Sequence, residues 1–324
     1  MGNRRVRNLQ ALGYTDIVGY DINTESAIKT ASKYSIQYTK RISDLWNNKP
    51  DCAIISVPPL KKQEYIDICG IEKIPCFCEA DVATYSGTYF SSASMRFYPA
   101  IQKIKELLDT GTLGKVYTFS FHMGQHLRDW HPGANYSNYY AAKKESGACK
   151  EMFAFELGWL SMLFGRPVDA KGIIDKKLDD PDITADDVFS TTVKFNSSYM
   201  LIMTDFGLYK DYGKQSSKYD VVGVVLIDIL SRPAIRELRI VGEKCNLFWN
   251  WDYNCIELEY PNGEISMIFY PKWEAADGYN ANICEFMYER EIENFINAIQ
   301  NKAEYYYPKE DEEACIKMLR RIES

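Results

Sequence analysis

The chain holds three histidines, and all fall in one segment, His122-Met123-Gly124-Gln125-His126-Leu127-Arg128-Asp129-Trp130-His131. Imidazoles so grouped invite metal ligation or proton transfer. Their spacing fits neither a helix face nor a tight finger, so metal is the weaker reading and no metal site is expected. His131 reads better as a substrate contact. Trp130 beside it offers a flat surface for stacking while the imidazole can move a proton. Tyr98, Tyr139 and Lys144 are further candidates for substrate contact. With 24 tyrosines and 6 tryptophans in the chain, most of its aromatic rings must serve packing.

Two apolar runs end in residues suited to a ligand edge. Cys52 to Val57 stops at Pro58-Pro59, and Ile74 to Cys78 stops at Glu79-Ala80-Asp81. In open α/β sheets, ligands bind beyond the carboxyl ends of the strands. The Asp81 carboxylate reads as a surface group in a loop rather than a base. Asp21 ends another short strand. An acid there can accept both hydroxyls of an adenosine ribose and repel a 2′-phosphate, or it can simply precede the helix at Thr24.

These residues need a scaffold, and the first third supplies alternating helices and strands. Helical spacing runs over 4–12, 24–33, 42–47 and 62–70, with strands over 16–21, 36–38, 51–57 and 74–78. That alternation predicts a parallel, doubly wound sheet. A dinucleotide fold normally starts with a strand and a Gly-x-Gly-x-x-Gly turn before its first helix. Here Gly2 stands directly in front of that helix, as the last glycine of such a turn, and the first strand is missing from the sequence in hand. The expected consequence is a sheet without a central member and a pyrophosphate without most of its cradle.

Beyond residue 95 the pattern changes. A helix over 100–108 precedes a strand over 115–122, and a helix spans 148–164. β-like runs then follow at 188–195, 199–206, 221–229, 235–242, 245–251, 255–260 and 264–270, with turns at Asn196-Ser197-Ser198 and Pro261-Asn262-Gly263. Successive strands without helices between them imply a large, mostly antiparallel sheet. Helices over 282–301 and 310–322 close the chain. The expected division is a Rossmann-like domain over 1–95 and an α+β substrate and oligomerisation domain over 96–324, the last helices packing back on the first domain. One face of so broad a sheet needs covering, so a homo-oligomer, dimer or tetramer, is expected.

Bulk properties narrow the function. Forty-five acidic against 38 basic residues leave a net charge of −7, which argues against nucleic acid as a partner. No apolar run is long enough to span a membrane, and no secretory leader is visible. Nine scattered cysteines suit a reducing, cytoplasmic setting.

In order and spacing, several fragments resemble the Gfo/Idh/MocA family of oxidoreductases (glucose–fructose oxidoreductase, inositol dehydrogenase and relatives). They are Val18-Gly19-Tyr20-Asp21, Ser56-Val57-Pro58-Pro59, Cys78-Glu79, Arg96-Phe97-Tyr98-Pro99-Ala100, Gly111-Thr112-Leu113-Gly114-Lys115-Val116, Asp129-Trp130-His131-Pro132, Lys143-Lys144-Glu145-Ser146-Gly147 and Leu163-Phe164-Gly165. The resemblance implies NAD, with NADP disfavoured by Asp21, and a sugar, sugar nucleotide or cyclitol as substrate. It assigns Gly2, Asp21, Ser56, Pro58, Pro59 and Glu79 to the cofactor. Two departures follow from it. The family's Glu-Lys-Pro lysine is replaced by Ala80, and its helical histidine by Phe155, with Glu151 one turn earlier at the family's aspartate position. His131 and Glu151 are therefore the expected proton handlers. The alternative is a catalytically silent sugar- or nucleotide-binding regulator of the same fold.

Overall fold

The computed structural model describes all residues except 48, 132, 134, 197–201, 204–208, 211–219, 272–274 and 276–281. Its first part runs α1 (Gly2–Ala11), β1 (Val18–Gly19), α2 (Thr24–Tyr34), β2 (Gln37–Tyr38), α3 (Ile42–Asn47), β3 (Ala53–Ile55), α4 (Gln63–Glu72), β4 (Cys76–Cys78) and β5 (Phe90–Ser91). Every strand pair in this part is parallel. The expected single sheet is divided into two ladders, β1-β2 and β3-β4-β5. β1 and β3 each bond on one flank only, and both are shorter than the apolar runs that contain them.

A single 3-10 turn, Ser94–Phe97, leads into α5 (Pro99–Asp109), whose proline occupies the first turn where its missing N–H costs nothing. Then come β6 (Val116–Gly124), α6 (Ala148–Phe164), β7 (Arg166–Asp175), β8 (Val188–Asn196), β9 (Ile202–Met203), β10 (Tyr209–Lys210), β11 (Asp220–Asp228), β12 (Ile235–Gly242), β13 (Asn246–Asn250), β14 (Cys255–Glu259) and β15 (Ile265–Phe269). Eight of these form one mixed sheet in the order β15-β14-β13-β12-β6-β11-β8-β7. Its neighbours are antiparallel except β11 and β6. The run expected over 199–206 and the turn at Ser197-Ser198 lie outside the described residues, apart from the β9 backbone.

β7 has no counterpart in the expected strands. Pro167, Gly172 and two aspartates dilute its alternation, and Pro167 is tolerated because β7 is an edge strand with a bulge beside that proline.

The core lies between this sheet and α6. Phe119 of β6 stacks on Phe164 at 4.4 Å, and Trp159 meets Phe121 edge-on. Gly223 of β11 is required there, since a Cβ would sit 2.2 Å from the Phe119 ring. One ion pair is sealed inside: Glu156 of α6 accepts from Arg236 of β12 at 2.5 Å and from the Trp159 indole.

The last helices, α7 (Glu285–Ile299) and α8 (Lys309–Glu323), return to the first part. Phe295 of α7 packs on Phe77 and Phe90 at 5.6 and 5.3 Å. Arg96, 1% exposed, donates to Gly158 O, Tyr306 O, Ser161 Oγ and Asp311, joining α6 to α8. All nine cysteines are free thiols. No helix among the described residues is long and apolar enough to cross a membrane.

Candidate active site

Because β3 and β4 pair in register, with Ile55 opposite Cys78, the residues that follow them emerge at one edge. Ser56 Oγ donates to Glu79 Oε1 at 3.0 Å. Arg5 of α1 bonds both Glu79 oxygens at 2.7 Å and also meets Glu291 of α7 at 2.8 Å. Burial alone would raise the Glu79 pKa, but the guanidinium holds it below its ordinary value. Glu79 is thus a buried, charged carboxylate committed to Arg5.

Pro58-Pro59 turns the chain into Leu60, whose φ of +66° lies in the left-handed region. That conformation aims the Leu60 N–H at the Asp81 carboxylate. Asp81 was expected on the surface, yet it is 6% exposed. It accepts from Val82 N at 2.7 Å and Tyr85 OH at 2.6 Å, and pairs with Lys62 Nζ at 2.7 Å. Its lone pairs are taken, so it is no base.

Lys62, just ahead of α4, is fully buried. Its ammonium also donates to Glu79 O at 2.7 Å and Ala80 O at 2.8 Å. A lysine therefore lies against position 80, although it comes from another element. No sequence signal marks it, because Lys61-Lys62 before a helix reads as solvated charge.

Across from this turn stands the first turn of α6. Gly147, its cap, has no room for a side chain, as a Cβ would lie 2.6 Å from that of Ala185. One turn on, Glu151 Oε1 accepts from Tyr140 OH at 3.4 Å, while Oε2 is buried without a hydrogen-bond partner. Burial pushes the Glu151 pKa up to about 7, the Lys62 charge opposes that rise, and Asp81 and Glu79 add to it. Phe155 is half-buried and shares a narrow cleft with Ala80, Asp81 and Glu312.

An aromatic wall adjoins Glu151. His131 meets the Tyr139 ring edge-on at 5.6 Å, and Tyr139 meets Tyr140 at 5.0 Å. Burial raises the Tyr139 phenol, with the Glu151 charge adding to it. Burial lowers the His131 pKa below its ordinary value. Tyr139 thus touches His131 on one side and feels the Glu151 charge on the other.

The remaining candidates lie elsewhere or are engaged. Trp130 is held by a 3.2 Å bond to Gln125 O and packs on the core. Lys144 is exposed. Tyr98 is a core residue, not a pocket residue: it is 6% exposed, between Trp249 and Tyr270. Asp21 is exposed just past β1, where Oδ1 accepts from Asn23 N–H at 2.8 Å. Gly2 opens α1 facing Ser56; a Cβ there would be 4.0 Å from that of Ser56. The three histidines do not converge. His122 bonds Asp228 at 2.7 Å and His126 accepts from Arg128 N. Among the described residues no group of three or more His, Cys, Asp or Glu could hold a metal.

Residues 101–224 match the family model described as the GFO/IDH/MocA C-terminal domain. Levoglucosan dehydrogenase in complex with NADH superposes with a TM-score of 0.75 at 14% identity, covering 99% of this chain and 94% of that one. An oxidoreductase from Agrobacterium radiobacter, in complex with NAD+, L-tartaric acid and magnesium, gives 0.73 at 13% identity, covering 99% and 92%. UDP-N-acetylglucosamine 3-dehydrogenase from Acidithiobacillus ferrooxidans gives 0.70 at 13%, covering 100% and 93%. At such identity the likeness is one of fold. No curated protein matches the chain in sequence.

Proposed function

We propose that this chain, which carries a GFO/IDH/MocA C-terminal domain, is an NAD-dependent oxidoreductase of a sugar, sugar nucleotide or cyclitol, with Glu151 as its proton handler. The observation carrying this reading is the Glu151 carboxylate. One of its oxygens is buried and unpartnered, and its pKa lies at about 7, opposite the edge where β3 and β4 end. A base poised near neutrality can take the proton of a carbohydrate hydroxyl and return it in the reverse direction.

NAD would supply the hydride acceptor. The residues present fit it in part. Asp21 is exposed, and its bond to Asn23 uses only Oδ1, which suits a ribose and disfavours a 2′-phosphate. Gly2, Ser56, Pro58 and Pro59 border the same edge. Glu79 does not fit a direct contact, because Arg5 occupies both its oxygens; it serves as the charged floor beneath Ser56. His131 and Tyr139, in edge-on ring contact, form the substrate-side wall.

A division at residue 95, assembly into a dimer or tetramer, and a cytoplasmic location suggested by nine unpaired thiols belong to the same reading. The silent-regulator alternative draws on Ala80 and Phe155, neither of which can donate or move a proton. Fluorescence titration with NADH, followed by turnover assays on a panel of sugars and cyclitols, separates the two. Binding with hydride transfer supports the enzyme, binding of a sugar or nucleotide without transfer supports the regulator, and absence of NADH binding overturns the proposal.

A further inference from the structure

We infer that Lys62 is a positioning residue of this site, tying the 79–81 turn to α4 and fixing a buried positive charge within electrostatic reach of Glu151. The inference rests on the reading of Glu151 as the proton handler. The geometry explains why Lys62 can do this and nothing more. An ammonium has three hydrogens, and Lys62 meets three acceptors: Glu79 O at 2.7 Å, Ala80 O at 2.8 Å and Asp81 Oδ2 at 2.7 Å. None remains for a substrate, so Lys62 is not a catalytic residue.

Its partners are fixed in turn. Asp81 is held by the N–H groups of Val82 and Leu60 and by Tyr85 OH. The Glu79 side chain is clamped by Arg5. The turn is therefore held from both sides, with the Glu79 and Ala80 carbonyls drawn inward to the lysine. A buried charge is tolerated when it is paired and fully hydrogen-bonded, and Lys62 meets both conditions.

The groups acting on Glu151 are Lys62 from the start of α4, Asp81 and Glu79 from the turn, and Tyr140 beside α6; Tyr139 in turn feels the Glu151 charge. Lys62 is the only cation among these, and it acts through space rather than by contact with the reacting atoms. Loss of its charge removes the strongest influence opposing desolvation and the Asp81 and Glu79 charges, leaving the weaker Tyr140 hydrogen bond, and drives Glu151 toward its protonated form.

The test needs neither substrate nor cofactor. Protein labelled with 13C at the glutamate carboxyl carbon is titrated by NMR, with Glu151→Gln identifying the Glu151 resonance. The expected result is that Lys62→Gln moves the Glu151 midpoint upward by about 1 pH unit, while Lys62→Arg, which keeps the charge, moves it less. If Lys62→Gln does not fold, the pair Lys62→Gln/Asp81→Asn leaves no lone buried charge and is expected to shift the midpoint upward by a smaller amount. A folded variant of either kind with an unchanged Glu151 midpoint overturns the inference. NADH titration of the same samples is the separate arm. A shifted midpoint without NADH binding in the wild type removes the oxidoreductase reading and leaves the Lys62–Glu151 coupling in place.

Discussion

At the scale of single residues, the proton chemistry rests on one carboxylate in an unusual setting. Glu151 is the group near neutrality, so its two forms give opposite pH dependences. Oxidation of a hydroxyl needs the carboxylate, and kcat/KM should rise about tenfold per pH unit below pH ~7 and level off above it. Reduction needs the acid form and should show the mirror image. Glu151→Gln should remove that limb and lower turnover by about 10² to 10⁴, measured as pH–rate profiles on wild type and variant. Asp21 carries a second prediction. Asp21→Ala should weaken NADH binding and narrow the preference over NADPH, read from paired fluorescence titrations. An unchanged ratio would leave Asp21 with its local role alone, accepting from Asn23 ahead of α2.

Among elements, α6 carries most of the consequence, because it presents Glu151 at one end and is pinned further along. Glu156 faces the sheet, where it meets Arg236 and Trp159. Arg236→Met would strand a buried carboxylate and should cost about 3–5 kcal/mol in urea unfolding. Adding Glu156→Leu should recover much of that loss. The reach of sequence reasoning shows in the same helix. Its limits and the offset of Glu151 from Glu156 follow from a 3.6-residue period, and so were legible. Lys62 and β7 were not. The lysine reaches the site through tertiary placement that no local pattern encodes, and β7 breaks its alternation with Pro167 and Gly172 because an edge strand tolerates both. Asp81 was misjudged for the same reason as Lys62. A charged residue in a turn reads as solvated until its partner, 19 residues earlier, is seen beside it.

For the whole molecule, the open face of the eight-stranded sheet is the feature that asks for a partner. Register places Val222 and Val224 level with Thr118 and Ser120, on the face opposite the Phe119 and Phe121 core. Ile173 on β7 and Met267 on β15 extend that face, at 71% and 53% exposed. Exposed apolar groups spread across one sheet face suit burial against a second copy. Val224→Asp should shift the chain toward monomer in size-exclusion chromatography with light scattering, leaving the circular dichroism unchanged. A wild type that is already monomeric at micromolar concentration would remove this part of the proposal.

The separation of the two parallel ladders has a consequence in hydrogen exchange. In β3, Ala53 N–H bonds Pro75 O and Ile55 O accepts from Glu79 N, so both of these residues point toward β4. Alternation then turns the Ile54 amide to the flank without a ladder. Val18 stands likewise between Ile17 and Gly19, whose carbonyls serve β2. Both amides should exchange much faster than that of Ala53, although all three belong to strands. The unit of β1, α2 and β2, which holds Asp21, is thus a leaf with no sheet bonds to the strands that carry Ser56 and Glu79. Opening it would break the bonds of Arg7 and Gln10 to Tyr34 and of Thr30 to Asn3, but no ladder.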